Sequence, residues 1–463
     1  LFFIFIGFVQ LSVVAEGNSV KLLWVQYGLA NDTLKLATHT DMDPMDPFVA
    51  TASVQLNSGE SWDTVAEANV DPLTTVAEFR IEKWDSTESR AYRVVCGSSE
   101  IEGTIRADPI DKKVLKLMAV SCVNDNKFPY SATVQQMIAQ DPDLVFFAGD
   151  QLYQTNDGNI TFHANTEADV LPALANYLPK WRKFGLTFRD LLKDRPSIII
   201  TDDHDVYVAD LWGNGGRQMD VGGLVSEVYD FTDAEARTRA TAGRTGGGYP
   251  YPKWTNAVER AQMWHLPDAA RPGPWGDGIM AYFTSLEYGG VSFAILEDRK
   301  FKSPPTDALA EAVDDPRTDE PNTLLELIMD PAFDTKTLDR ADLNLLGEAQ
   351  EEFVRKWAID VAKTGRLAAV LHQSPLANVG NYEPQFGDMD SNGWPQTARN
   401  RALRAIGPSN AIMISGDIHY ATIHRNGVED WDDGPWAYSL PAFGSSAGRT
   451  WNPQDPPEGG AIP

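Results

Sequence analysis

Leu144 to Phe147, followed by Ala148-Gly149-Asp150-Gln151-Leu152-Tyr153, is the stretch that most narrows what this chain can become. Four apolar residues in a row, β-branched and aromatic among them, suit a strand buried on both faces, the habit of parallel sheets. Gly149 lets the chain turn sharply. Asp150 then stands just past the strand's carboxyl end, the edge at which open α/β sheets bind their ligands. Tyr153 can swing back to the same point, and a carboxylate and a phenol together there can share one hard, high-valent cation.

The same design recurs along the chain. Apolar runs at 116–120, 196–200, 291–296, 367–371 and 410–414 end respectively in Ser121-Cys122, Thr201-Asp202-Asp203-His204-Asp205, Glu297-Asp298-Arg299, His372-Gln373-Ser374 and Ser415-Gly416-Asp417-Ile418-His419. Helix-compatible segments lie between them at 130–140, 167–194 and 347–363, the last with Phe353, Trp357 and Val361 at helical spacing. Strands alternating with helices predict a parallel or mixed α/β sheet. One Asp or His at a strand end is most often a cap or a hydrogen-bond partner. Several in one segment predict convergence on a common site.

The 206–290 stretch reads as a loop-rich insertion, with Trp212-Gly213-Asn214-Gly215-Gly216 near its start. Its glycine-rich run at 243–248 is not followed by Gly-Lys-Ser/Thr, so a mobile lid or turn is favoured over a phosphate-cradling loop. Residues 304–340, rich in Pro and Asp, are expected to run over the surface.

Residues 20–108 carry a different pattern. Ala77, Phe79 and Ile81 alternate with polar residues, as do Tyr92, Val94 and Cys96, with Trp84-Asp85-Ser86 as the turn between the runs. That predicts a small immunoglobulin/fibronectin-like β-sandwich, a bystander to the chemistry, with Tyr92 in the place of the corner tyrosine. Pro109 closes it, and a catalytic segment at 112–453 follows.

The length of 463 residues allows two to three domains. A net charge of −27 argues against a stable nucleic-acid partner held through phosphates and fits a protein that binds cations. Cys96 and Cys122 are the two cysteines, enough for one bridge and no disulfide framework; buried thiols are the plainer reading. The apolar run at 1–15 ends in Val13-Val14-Ala15 before Glu16-Gly17, like the remnant of a secretory signal peptide. It is short for a transmembrane span, and no other stretch is long and apolar enough for one. A secreted, periplasmic or cell-surface location is therefore expected. No initiator Met or basic segment precedes the run, so the natural chain is expected to extend in front of Leu1, and Ile462-Pro463 carries no stop signal either.

The strand-end donors sort by type. Cys122, Asp150, Tyr153 and His419 offer thiolate, carboxylate, phenolate and imidazole, a mixture for a transition metal such as ferric iron (Fe3+) or zinc. Asp203, Asp417 and a second oxygen of Asp150 offer oxygen alone, which suits calcium (Ca2+), manganese or magnesium. Asp150 would bridge the two ions. Two cations about 3.5–4 Å apart polarise a phosphoryl group and supply hydroxide at neutral pH. His204 is the candidate general acid for the leaving oxygen. Asp202 and Asp205 read as supports of His204. Arg299 is either a bidentate phosphate clamp or a surface ion pair. Trp212 and Trp394 either wall the pocket or pack in the core.

At these residues the chain resembles the PhoD-like alkaline phosphatases of the metallophosphoesterase superfamily, over about 20–453. The carrying motifs are Ser121-Cys122, Gly149-Asp150-Gln151-Leu152-Tyr153, the 201–207 run, Glu297-Asp298-Arg299 and Gly416-Asp417-Ile418-His419. The Gly-Asp-x-x-Tyr unit also resembles the purple acid phosphatases, whose tyrosine binds ferric iron. The resemblance implies a four-layer α/β/β/α metallophosphatase sandwich behind the small β-sandwich. It implies hydrolysis of small-molecule or polymer phosphomonoesters or phosphodiesters by a metal-bound hydroxide, with iron on Cys122, Asp150, Tyr153 and His419 and calcium toward Asp203 and Asp417. Cys122 and Asn124 stand where the wider superfamily has Asp-x-His, Asp203 where it has Asn, and Asp417 where it has His. Either His372 or Gln373 aligns with a further histidine ligand. A non-catalytic secreted binding protein on a degenerate phosphatase scaffold is the alternative. Substrate and oligomeric state are not legible.

Overall fold

The structure is a computed structural model. It describes residues 20–154, 161–208, 210–219, 247–305, 338–379, 381–382, 389–391, 393–430, 432–445 and 449–450. The 1–15 run, the first two of the four glycines at 243–248 and most of 304–340 lie outside the described residues.

Seven antiparallel strands come first: β1 Leu22–Ala30, β2 Thr33–Thr40, β3 Thr51–Asn57, β4 Trp62–Asn69, β5 Val76–Glu82, β6 Arg90–Cys96 and β7 Ser99–Ile105. They form two sheets, ordered β1-β2-β5 and β4-β3-β6-β7. Leu34, Leu36, Ala77 and Phe79 share one buried cluster with Val54, Tyr92, Val94 and Ile105, so the pair of sheets closes as a sandwich.

The sandwich is not a bystander in packing. The Tyr92 hydroxyl donates to the Lys193 carbonyl at 2.9 Å, outside the sandwich altogether, rather than turning a corner within it. On β1, Trp24 stacks on His39 at 3.9 Å between ring centroids and meets Trp181 edge-on at 5.8 Å.

The remainder alternates strands and helices: β8 Leu117–Val120, α1 Ser131–Ala139, β9 Leu144–Phe147, α2 Val170–Leu192, β10 Ser197–Ile199, α3 Pro252–Met263, β11 Thr284–Tyr288, β12 Val291–Ile295, α4 Glu348–Thr364, β13 Leu367–Leu371, β14 Asn381–Tyr382, α5 Gln396–Ile406, β15 Ile412–Ser415, β16 Thr422–Arg425, β17 Trp436–Ser439 and β18 Arg449–Thr450. β10-β9-β8 is a parallel three-stranded sheet, and β11-β12-β13-β15-β17-β16 is a mixed six-stranded one. β14 and β18 pair as a short ribbon.

The period of two along each strand sets the layers. In β9, Val145 and Phe147 belong to the cluster around α2, where Phe147 meets Phe184 and Phe188 at 5.0 and 5.1 Å. Leu144 and Phe146 turn the other way and share a cluster with Phe293, Ile295 and Leu371 of the second sheet. The far side of that sheet, Ala294, Val370 and Met413, packs on Val354 and Trp357 of α4 and Ala402 and Leu403 of α5. The result is a helix–sheet–sheet–helix sandwich, as the family resemblance implies. The insertion is less loop-like than its composition: α3 starts with Pro252 in its first turn, and β11 hairpins onto β12 through Gly289-Gly290.

Candidate active site

The two central sheets meet at their carboxyl edges, and the chain there pays for close approach with glycine. A Cβ at Gly149 would lie 2.3 Å from Cβ of Asp202, and its φ is +101°. A Cβ at Gly416 would lie 1.9 Å from Oγ of Ser121. Only glycine lets the end of β9 pass the end of β10, and the end of β15 reach the end of β8. Ser121 Oγ then accepts from the Asp417 N–H at 3.1 Å, joining one sheet to the other.

Backbone strain gathers at the same place. Cys122, Asp150, Asp417 and His419 take left-handed φ values of 55°, 55°, 70° and 59°. Each such residue costs on the order of 1 kcal/mol. Four in one cluster aim side chains inward at the expense of backbone comfort.

One oxygen, nitrogen or sulfur atom from each of Cys122, Asp150 and His419 lies within 4.8 Å of the others. The Tyr153 hydroxyl is 3.1 Å from Asp150 Oδ2 and 3.0 Å from His419 Nε2, which brings the phenol into this set. Asp150, Asp203 and His204 form a second such group, and Asp202, Asp203 and Asp417 a third. Every residue read from the sequence as a metal ligand therefore belongs to one continuous cluster around Asp150 and Asp203. A fourth group adds Asp210 and Asp390 to Asp203, two carboxylates the sequence reading missed; neither sits at a strand end.

Burial makes this cluster electrically costly. Burial first, then the negative charges of Asp203, Asp202, Asp205 and Asp417, push the Asp150 carboxyl well above the usual carboxylate range. Burial and the Asp150 and Asp417 charges do the same to the Cys122 thiol. Asp203 goes the other way: burial would raise it, but His204 and Arg299 outweigh burial and hold it at about 2. Asp203 thus keeps its charge and Asp150 takes the proton when protein charges alone are present. Asp150 Oδ1 and Asp202 Oδ2 are buried and accept no hydrogen bond among the described residues. Buried carboxylate oxygens of this kind call for a cation. The thiol, phenol, imidazole and carboxylate donors fit a transition metal on one side, and the all-oxygen set fits a hard divalent ion on the other.

The supporting residues differ from the sequence reading. Asp205 does not hold His204; it accepts from the backbone N–H groups of Asp150, Gln151 and Asp202 at 2.7, 3.1 and 2.9 Å and so fixes both turns. Asp202 pairs with Arg299 instead. His204 meets Gln154, whose Oε1 lies 2.6 Å from Nδ1.

Arg299 is neither a surface ion pair nor placed to clamp a phosphate. It is 1% exposed, and its guanidinium faces three carboxylates: Asp202 at 2.6 Å, Asp390 at 2.5 Å and Asp417 at 3.0 Å. Its charge is spent beneath the cluster.

His372 Nδ1 faces Asp298 Oδ2 at 3.0 Å, and His372 belongs to none of the ligand groups among the described residues. Gln373 bonds the Asp298 N–H and the Thr201 carbonyl, tying the sheets together. Trp212 and Trp394 are buried, in keeping with packing. Cys96 and Cys122 are both free, one at the end of β6 and the other in the cluster, so the conceivable bridge is absent.

The class to which this fold and cluster belong, metal-dependent phosphoesterases, is given by the family comparison. The family model of the PhoD-like phosphatases matches residues 117–438, and the chain belongs to that family. Among solved structures, that of PhoD aligns at 16% identity and a TM-score of 0.59, covering 91% of this chain and 77% of that one, a likeness of fold. A dimetal phosphatase from Danio rerio aligns at 10% identity over 73% of this chain and 88% of its own, with a TM-score of 0.34. No curated protein matches. Family membership carries phosphoester hydrolysis with metal ions and a phosphoester substrate. No helix among the described residues is long and apolar enough to cross a membrane.

Proposed function

We propose that this chain hydrolyses phosphomonoesters or phosphodiesters outside the cytoplasm, with ferric iron held by Cys122, Asp150, Tyr153 and His419 and calcium held by Asp150, Asp203 and Asp417. The observation that carries the reading is the single buried cluster in which Asp150 belongs to both donor sets. When bound, the ions would supply Lewis acidity and a nucleophile at neutral pH. The chain's own part is to position and to move a proton. Asp205 fixes the Asp150 and Asp202 backbone, Arg299 balances the charge of Asp202, Asp390 and Asp417, and His204 protonates the leaving oxygen. The 1–15 run supports placement outside the cytoplasm, and sequencing the mature amino terminus tests it.

The decisive experiment compares a chromogenic monoester with a diester, with and without chelator, alongside metal analysis of the purified protein. Iron plus a hard divalent ion, with turnover lost on chelation, is the expected result. Asp150→Asn should lose metal and turnover together, the latter by at least ~10²-fold, the upper end of what a metal site's outer partners cost. An Asp150→Asn protein with full activity would remove the bridging assignment.

A further inference from the structure

We propose that Gln154 is the positioning residue for His204: its amide oxygen holds the ring so that Nδ1 keeps its proton and Nε2 is the atom that delivers one to the leaving group. The proposal rests on the general-acid reading of His204 and takes it a step further. Gln154 Oε1 lies 2.6 Å from His204 Nδ1, and Gln154 is 1% exposed. A cationic imidazole carries hydrogen on both nitrogens, so only the oxygen of the amide can face Nδ1 in the acid form. After Nε2 has given its proton away, the same bond keeps the remaining one on Nδ1.

Two further contacts hold this arrangement in place. The Gln154 carbonyl accepts from Lys180 Nζ at 2.5 Å and from Thr161 Oγ1 at 3.1 Å, so the backbone under the amide is pinned to α2. The Lys180 ammonium also lies 4.9 Å from the Tyr207 ring centroid, and Tyr207 caps the short turn that begins at His204. One buried lysine therefore fixes both the loop after β9, which carries Gln154, and the loop after β10, which carries His204. The His204 ring also leans on Tyr153 at 4.3 Å between centroids.

Gln154→Met keeps length and removes the acceptor, and Gln154→Glu keeps the acceptor. Both are compared with the unaltered enzyme and His204→Ala on an aryl ester with a good leaving group and an alkyl ester with a poor one, with metal content measured in each preparation. The expected result for Gln154→Met is a loss of roughly tenfold or more in kcat on the alkyl ester, less than about threefold on the aryl ester, and unchanged metal content. Gln154→Glu should restore most of the alkyl-ester rate. Equal slowing on both esters, metal loss in step with rate, or no recovery in Gln154→Glu overturns the proposal. If His204→Ala discriminates between the esters and Gln154→Met does not, the positioning claim falls and the role of His204 stands. If neither discriminates, both fall.

Discussion

Arg299 shows how one side chain can be read correctly by type and wrongly by address. A guanidinium near a phosphatase centre suggests a grip on phosphate, because its fork matches that geometry. In the fold its nitrogens are taken by Asp202, Asp390 and Asp417, which lie far apart in the chain, and nothing near Asp390 in the sequence signals its arrival. Replacing Arg299 with Met would leave three buried carboxylates without their counter-charge. Breaking one partner out of a buried ionic group costs about 3–5 kcal/mol. We expect urea unfolding of metal-free Arg299→Met to show a loss of that size, partly recovered by added calcium. A loss below ~1 kcal/mol would mean that the carboxylates are already relieved by other means.

At the scale of elements, what could be read from the chain followed how strongly each segment announced its buried face. β8, β9, β10, β12, β13 and β15 are short apolar runs, and the polar ends of β8, β9, β10 and β15 carry the clustered donors, so strands and donors were legible together. α5 was not. Its buried face is built from Ala398, Ala402, Leu403, Ala405 and Ile406 among Arg399, Arg401 and Arg404, and alanine is a weak hydrophobic signal. α3 was hidden within a stretch whose glycines and aromatics look like loop. The close approach of α2 to β1 left only one mark, Gly185, mid-helix, where glycine normally costs stability. A Cβ there would come within 2.1 Å of the Trp24 indole. Gly185→Ala should therefore destabilise by roughly 1–3 kcal/mol despite its better helix propensity, through overpacking. Thermal melts would check it; a stabilised variant would mean that the Trp24–His39 stack can slide aside without cost.

For the whole molecule, two buried histidines and one half-buried histidine set an acid limit. Burial lowers His39 well below its ordinary value, His265 to about 3 and His424 to about 4. Each is neutral in the fold and gains a proton near pH 6.5 once unfolded. The unfolded chain thus binds more protons between those values, and stability rises with pH there. The contribution is complete above about pH 6.5 and is lost as pH falls toward 4 and then 3, at up to about 1.4 kcal/mol per pH unit for each group. Urea midpoints should accordingly fall steeply from pH 6.5 to 4.5. Replacing His265, which bonds Gln26 and Ser197, with Gln should flatten that slope. An unchanged slope would place the acid sensitivity among the carboxylates instead.

The bond from Cys122 toward the Asp417 carbonyl spans 295 positions of sequence. A nascent chain leaving the ribosome therefore displays its first donors for most of its synthesis before the last ones exist. It can hold an ion only loosely during that time. On the proposed ligand set, capture in a closed cage would wait until the second sheet has docked against the first, and ion loading would report completed folding rather than guide its early stages.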